Sequence, residues 1–286
     1  METKKKYSHT PERYAQRLRC LAGLLLAMLF FTGCTTEDDE PSNSQQDAIA
    51  SKHSEESQAA SEAAVDEADE DEPKVIVTPT ASSTDWNLVL VNRENQLAAE
   101  IATEFYLTES GYQIDSRIKD PYLALLEAGK AAGMDFTMIS GYRSIEQQQA
   151  NYDVNYQNYL ASGLSEEEAR AKTEEYIALP HASEHITGLA VDLTSTALAT
   201  QEGGSGLLPD LENYPEGLWL KENAAQYGFI LRYPKEKEAI TGINFEPWHF
   251  RFVGVENAIY MTENNLTLEE YAAILKQNEA LGDSKK

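Results

Sequence analysis

From Trp86 onward, apolar residues recur with the periods of strands and helices; before it they do not. Residues 86–91 (Trp-Asn-Leu-Val-Leu-Val) read as a strand ended by Asn92. Residues 120–132 carry Leu123, Leu126 and Ala131 at helical spacing. Asp120 sits there as N-cap, Pro121 in the first turn and Gly133 at the end. Residues 136–139 form a short apolar run suited to a buried strand. Ser144 then opens a Gln- and Tyr-rich helix to about residue 159, and Ser165-Glu-Glu-Glu opens another to about residue 177. Residues 189–193 suit a short strand, and 215–227 a helix closed by Gly228. Residues 248–253 alternate apolar and polar like a half-buried strand, and helices over 255–262 and 267–277 finish the chain.

No period of 20–50 residues repeats. Strands and helices mix without regular βαβ alternation, which points to an α+β fold. The expected architecture is a small antiparallel sheet flanked by helices over residues 83–280, with a long helical insertion between the second and third strands.

The N-terminal third has a different character. Lys4, Lys5, Lys6, Arg13, Arg17 and Arg19 precede an apolar run over residues 21–31, followed by Thr32-Gly33-Cys34. A basic region, a short apolar stretch and small residues describe a secretory signal peptide over residues 1–33. The apolar run falls short of the roughly 20 residues that span a bilayer. Residues 34–82 read as a disordered acidic linker. Between Thr35 and Lys74 there are fourteen acidic residues against two lysines. Such a stretch cannot bury enough apolar surface to offset its ordering entropy, and its like charges keep it extended. His53 lies there and reads as solvated.

Both cysteines, Cys20 and Cys34, lie in this N-terminal region. The globular part therefore has neither a disulfide nor a thiolate metal ligand to offer. The formal net charge of −25 excludes a nucleic-acid partner, since phosphates need Lys and Arg. Phe31-Thr32-Gly33-Cys34 resembles the lipobox of bacterial lipoproteins. That resemblance implies a diacylated Cys34 as mature N-terminus, and two acyl chains anchor stably. Cys20 lacks small residues before it and reads as incidental. The expected location is the extracytoplasmic face of a bacterial membrane, with the globule a monomer.

The candidate chemistry lies in two segments. Three histidines fall in the globular part: His181, His185 and His249. The first segment is Ser183-Glu-His185-Ile-Thr-Gly188-Leu-Ala-Val-Asp192, the second Glu246-Pro-Trp-His249. A turn at Gly188 leading into a strand can aim Asp192 back at His185. Glu246 and His249 would face opposite sides of a straight strand, but Pro247 removes a ladder donor and constrains its predecessor, so a bend can bring both to one site. Catalytic zinc sites use three ligands drawn from His and Asp/Glu and keep a position for water. His185, Asp192 and His249 supply that count, and Glu246 is the natural base. Taken singly each signal is weak, since a lone buried His is usually a hydrogen-bonded core residue. His181 pairs with His185 at i,i+4, but Pro180 argues against a helix there and against a ligand role.

In order and spacing, Ser183-x-His185-x-x-Gly188-x-Ala190-x-Asp192 followed by Glu246-x-Trp248-His249 resembles the VanY-type D-alanyl-D-alanine carboxypeptidases, a family that also contains L,D-carboxypeptidases. The resemblance covers about residues 86–260. It implies Zn²⁺ on His185, Asp192 and His249, Glu246 as general base, and peptidoglycan stem peptides as substrates. Ser140-Gly141-Tyr142-Arg143-Ser144 fits the same family. A substrate ending in a free carboxylate needs a cation, and Arg143 offers a planar two-pronged donor at a helix start where the dipole disfavours it. By the same resemblance Gln148, Ser183 and Tyr233 line the substrate pocket, while Trp248 either walls it or belongs to the core.

Other readings compete. Ser116-x-x-Lys119 matches the serine motif of penicillin-binding proteins, but no Lys-Thr-Gly accompanies it. A non-catalytic peptidoglycan-binding lipoprotein would not need Glu246, and an endopeptidase would not need Arg143. The choice between D,D and L,D substrates rests on pocket shape, which these motifs do not carry.

Overall fold

Serine caps and left-handed glycines set many of the element boundaries in the computed structural model, which describes residues 76–201 and 206–283. The expected signal peptide, Cys20, Cys34, His53 and the linker as far as residue 75 lie outside these residues. No helix among the described residues is long and apolar enough to cross a membrane.

Strands β1 (Phe105–Leu107) and β2 (Gln113–Asp115) form an antiparallel hairpin. Helix α1 (Lys119–Ala131) follows a 3₁₀ turn at Ser116–Ile118. Next come β3 (Phe136–Ser140), α2 (Ile145–Ala161) and α3 (Glu166–Glu174). Ser144 and Ser165 each cap a helix in a full capping box, with Gln147 and Glu168 bonding back to the cap. After β4 (Ala190–Ser195), helix α4 (Pro215–Asn223) leads through a 3₁₀ turn to β5 (Phe229–Leu231). Strand β6 (His249–Phe252) and helices α5 (Val255–Glu263) and α6 (Leu268–Asp283) complete the chain.

The main sheet has the order β3-β4-β6-β5, with every neighbouring pair antiparallel. The α+β class, the small antiparallel sheet and the helical insertion between β3 and β4 therefore hold. In the register Val191 faces Phe250, and Asp192 faces His249. Strand alternation then sorts the side chains. Val191, Leu193, Phe250 and Phe252 join Met138, Tyr122, Leu125 and Leu220 in one apolar cluster. Asp192, His249 and Arg251 project to the other face.

Several expectations need correction. Residues 248–253 do not form a half-buried strand, because all of β6 is buried. Val253, just past the strand, joins a second apolar cluster with Leu88, Ile230, Met261, Tyr271 and Leu275. Trp86 and Asn87 lie in a turn, and residues 88–91 join no sheet. The carbonyls of Asn87 and Val89 accept from the Arg251 guanidinium instead, at 3.1 and 2.8 Å. The α1 core face is Tyr122, Leu125 and Gly129, while Leu123 is exposed. Asp120 lies within the first turn, and the cap position belongs to Ile118. Packing also begins earlier than composition suggests. Ile76 exchanges two hydrogen bonds with Asn278, and Ser82 and Ser83 bond to Glu279, all on α6.

Candidate active site

One row of side chains crosses three strands of the sheet: Ser140 on β3 pairs with Asp192 on β4, which pairs with His249 on β6. The β3 register slips between Met138 and Ser140, and the chain leaves the sheet through Gly141. A side chain at Gly141 would collide with the Gln113 carbonyl and the Met138 methyl, so only glycine lets β2 approach. Tyr142 N–H donates to Gln113 O there, at 2.6 Å.

His185 sits on a 3₁₀ turn, Glu184–Thr187, that ends at Gly188 with φ +70°. This left-handed residue reverses the chain into β4, as the sequence anticipated. His185 Nδ1 donates to Gly141 O at 2.7 Å, which leaves its Nε2 lone pair facing Asp192 Oδ2 at 3.4 Å. His249 Nδ1 lies 3.1 Å from Asp192 Oδ1, and the two imidazoles stand at 86°. One ligand atom from each of His185, Asp192 and His249 falls within 4.8 Å of the others, and all three residues are buried.

These residues fit a metal ion. Asp192 Oδ1 is buried without a hydrogen-bond partner among the described residues, although His249 Nδ1 lies 3.1 Å away. A carboxylate oxygen and an imidazole nitrogen only 3.1 Å apart that do not bond to each other converge on a third point. The electrostatics agree. Burial pushes the Asp192 carboxyl up, but His185 and His249 outweigh it and hold it well below the usual carboxylate range. Burial lowers the His185 pKa. His249 is pushed up to about 9, because Asp192 and Glu184 outweigh burial. Glu246 is pushed up to about 8, by burial first and with Asp192 adding to it.

Glu246 is not on the strand, contrary to expectation, because β6 begins at His249. It occupies the preceding turn, where its N–H donates to Tyr233 O at 3.1 Å and its carbonyl accepts from His249 N–H at 3.2 Å. The bend at Pro247 brings Glu246 Oε2 within 3.8 Å of His249 Nδ1.

Arg143 immediately precedes the Ser144 cap, and its N–H donates to His185 O at 3.1 Å. Its guanidinium donates to Gln148 Oε1 and, at 2.8 Å, to Ser140 Oγ. Gln148 Nε2 in turn donates to Ala178 O at 2.8 Å, so Gln148 orients Arg143 from a buried position. The Tyr233 ring lies against His249, with centroids 4.8 Å apart. Ser183 is buried at the start of the His185 turn. Trp248 packs with Leu198 and Leu211, so core packing accounts for its ring. His181 bonds through Nδ1 to Leu97 O at 2.7 Å, outside the cluster.

The sequence reading missed a charged layer behind the site. Glu184 Oε1 accepts from Arg232 Nε at 2.8 Å and from Arg251 Nη1 at 2.7 Å. Arg232 also pairs with Glu269 of α6 at 2.6 Å. A signal was present, since an Arg in the middle of an apolar strand must find a buried partner.

A buried cluster of two imidazoles and a carboxylate at a small antiparallel sheet, with a second carboxylate alongside, fits the metallopeptidase class. Within that class, the chain belongs to the VanY D-alanyl-D-alanine carboxypeptidase family, which matches residues 111–255. A D-alanyl-D-alanine carboxypeptidase of Enterococcus faecalis is 40% identical over 188 residues, covering 65% of this chain and 66% of that protein. The match thus spans just under two thirds of that relative's length. The solved structure of VanYB in complex with D-alanine-D-alanine is 37% identical, with a TM-score of 0.59, covering 66% of this chain and 98% of the other. A VanY variant solved with Zn(II) is also 37% identical, with a TM-score of 0.58 and coverage of 65% and 99%. The LD-carboxypeptidase LdcB is 32% identical, with a TM-score of 0.53 and coverage of 66% and 87%.

Proposed function

We propose that the protein is a zinc carboxypeptidase that removes the C-terminal D-alanine from peptidoglycan stem peptides. The observation that carries this reading is the convergence of His185, Asp192 and His249 on one buried point. Relatives solved with Zn(II) and with D-alanine-D-alanine support it.

His185 Nε2, an Asp192 oxygen and His249 Nδ1 would hold the ion. Zinc, when bound, polarises a carbonyl oxygen and acidifies water. The chain's own residues do the rest. The Gly141 carbonyl fixes the His185 ring and its tautomer. Glu246 Oε2 takes the proton of the attacking water and returns it to the leaving amine of D-alanine. Burial makes Glu246 a stronger base than an exposed carboxylate. Arg143 pairs with the substrate's terminal carboxylate, oriented by Gln148 and Ser140. Its charge reaches the centre, because it lowers the pKa of both His185 and Glu246. Ser183 and Tyr233 complete the pocket wall, with Trp248 behind His249.

The same reading puts the enzyme on the outer face of the membrane, anchored through Cys34. The sequence of residues 1–34 supports this, and a Cys34→Ser variant that stayed in the membrane fraction would remove it.

The enzyme test offers pentapeptide and tetrapeptide muropeptides separately to chelated and to zinc-restored protein, with products weighed by mass spectrometry. Loss of one alanine, dependent on zinc, is the expected result. Turnover of the pentapeptide defines a D,D-enzyme and of the tetrapeptide an L,D-enzyme. Internal cleavage of the peptide, or binding without turnover, overturns the reading.

A further inference from the structure

The two metal-facing histidines are oriented by different means. His185 is fixed by a backbone carbonyl, Gly141 O, which accepts from Nδ1. His249 has no such carbonyl. Its Nδ1 faces Asp192 Oδ1 at 3.1 Å and Glu246 Oε2 at 3.8 Å, and its Nε2 faces Glu184 Oε2 at 3.6 Å. Neither His249 Nε2 nor Glu184 Oε2 has a hydrogen-bond partner among the described residues, and both residues are buried. A closure of about 0.5 Å makes them a hydrogen bond.

Glu184 is held in place for that role. Arg232 and Arg251 both donate to its other oxygen, Oε1, and neither arginine is exposed. Arg232 also takes both oxygens of Glu269. With Oε1 held by both arginines, Oε2 is the oxygen left facing His249 Nε2. Nδ1 and Asp192 Oδ1 face one shared point, so with a cation there Nδ1 is the lone-pair nitrogen and the ring proton falls to Nε2, where Glu184 Oε2 accepts.

We propose that Glu184 is a positioning residue that sets the tautomer of His249, placing the proton on Nε2 and reserving Nδ1 for the metal ion. The inference rests on the reading of His249 as a zinc ligand. It gives the two arginines a role at the metal site besides their contacts to Asn87, Val89 and Glu269.

Glu184→Gln is the discriminating variant. The amide oxygen can keep both arginines, which turns the NH₂ group toward His249 Nε2. To accept that donor, His249 must move its proton to Nδ1, the nitrogen that faces the metal. Zinc affinity, read by competition with a chromogenic chelator, is expected to fall by about 10–100-fold, as for loss of an outer-shell partner. The visible spectrum of the Co²⁺-substituted protein should shift as well. A folded Glu184→Gln protein with wild-type zinc affinity and cobalt spectrum overturns the proposal. Because the variant leaves two buried arginines facing one glutamate, a second measurement uses the unaltered chain. In ¹¹³Cd-loaded, ¹⁵N-labelled protein, the metal should couple to His249 Nδ1, with a slowly exchanging proton on Nε2. Coupling to Nε2 overturns the proposal while leaving zinc binding intact. His249→Ala with undiminished zinc affinity removes the zinc-ligand reading itself.

Discussion

Asp192 and His249 stand opposite one another on adjacent antiparallel strands, with Oδ1 and Nδ1 3.1 Å apart and no hydrogen bond between those atoms. Direct cross-strand pairing fixes their spacing through the backbone and not through side-chain flexibility. A rigid pair of this kind is preorganised to ligate, so its loss cannot be repaired by rearrangement. Asp192→Ala is expected to weaken zinc binding beyond the roughly 10–100-fold that follows loss of an outer-shell partner. Competition titration against a chelator of known affinity checks this. Stoichiometric zinc retained at wild-type affinity would place the ion elsewhere.

Glu246 lies beside the cluster but outside its three-atom set. Glu246→Gln should therefore bind zinc as the wild type does and lose turnover by roughly 10²–10⁴-fold, the contribution typical of a general base. Zinc content and kcat measured on the same preparation separate the two effects. Loss of both together would make Glu246 a ligand.

Arg143 is held by Gln148 and Ser140 through both terminal nitrogens of its planar fork, a geometry that lysine cannot copy. Arg143→Lys gives up a charge-assisted hydrogen bond worth about 1.5–3 kcal/mol. That corresponds to roughly 10–150-fold in kcat/KM. The same variant should discriminate less between free-acid and C-terminally amidated peptides. Unchanged discrimination would assign carboxylate recognition to another residue.

Asp115 links the hairpin to the His185 turn, since its N–H donates to Gly188 O at 2.9 Å. Its carboxylate accepts from Arg117 N–H, Arg117 Nε and Thr103 Oγ1. Burial raises its pKa, but the Arg117 and Thr103 hydrogen bonds outweigh this and lower it below 3.8. A depressed carboxyl pKa stabilises the fold above the unfolded value, and that stability is lost as pH falls through the folded one. Asp115→Asn should cost about 1–3 kcal/mol at neutral pH. It should also flatten the fall in stability below pH 3.8, the ordinary carboxyl value. Urea melts across that range check the slope, and an unchanged acid limb would show that Asp115 does not contribute it.

The parts of the site that were legible in the sequence are those carried by short local spacing. Gly188 between His185 and Asp192 announced the reversal, and Pro247 announced the bend that brings Glu246 to His249. Ser144 and Ser165 announced their helices, because a cap is a contact within four residues. What stayed hidden depends on distant partners. Residues 86–91 have strand composition, yet the side chain of Arg251 takes carbonyls that a neighbouring strand would have used. Glu184 reads as one more acid in an acidic chain until Arg232, just past β5, and Arg251 of β6 arrive. The hairpin β1–β2 and strand β5 are only three residues each, too short for an alternation to register.

Gly141 connects that distant packing to the site, and substitution there should separate fold from placement. A methyl group at this position meets the Gln113 carbonyl and Met138, so the loop over residues 140–143 must move away from β2. That loop supplies the carbonyl that orients His185 and the Arg143 N–H that bonds back to it. Gly141→Ala is expected to destabilise the protein by about 1–3 kcal/mol through overpacking. It should weaken zinc binding in step, because the His185 ring follows the loop. Gly111→Ala is the matched control. Gly111, unlike Gly141, has positive φ, at +83°, with open space around it at the hairpin tip. Its left-handed backbone should cost about 1–2 kcal/mol without touching the metal site. Thermal melts and zinc competition on the two variants decide the matter. If Gly141→Ala loses stability but keeps wild-type zinc affinity, the hairpin braces the fold without placing His185.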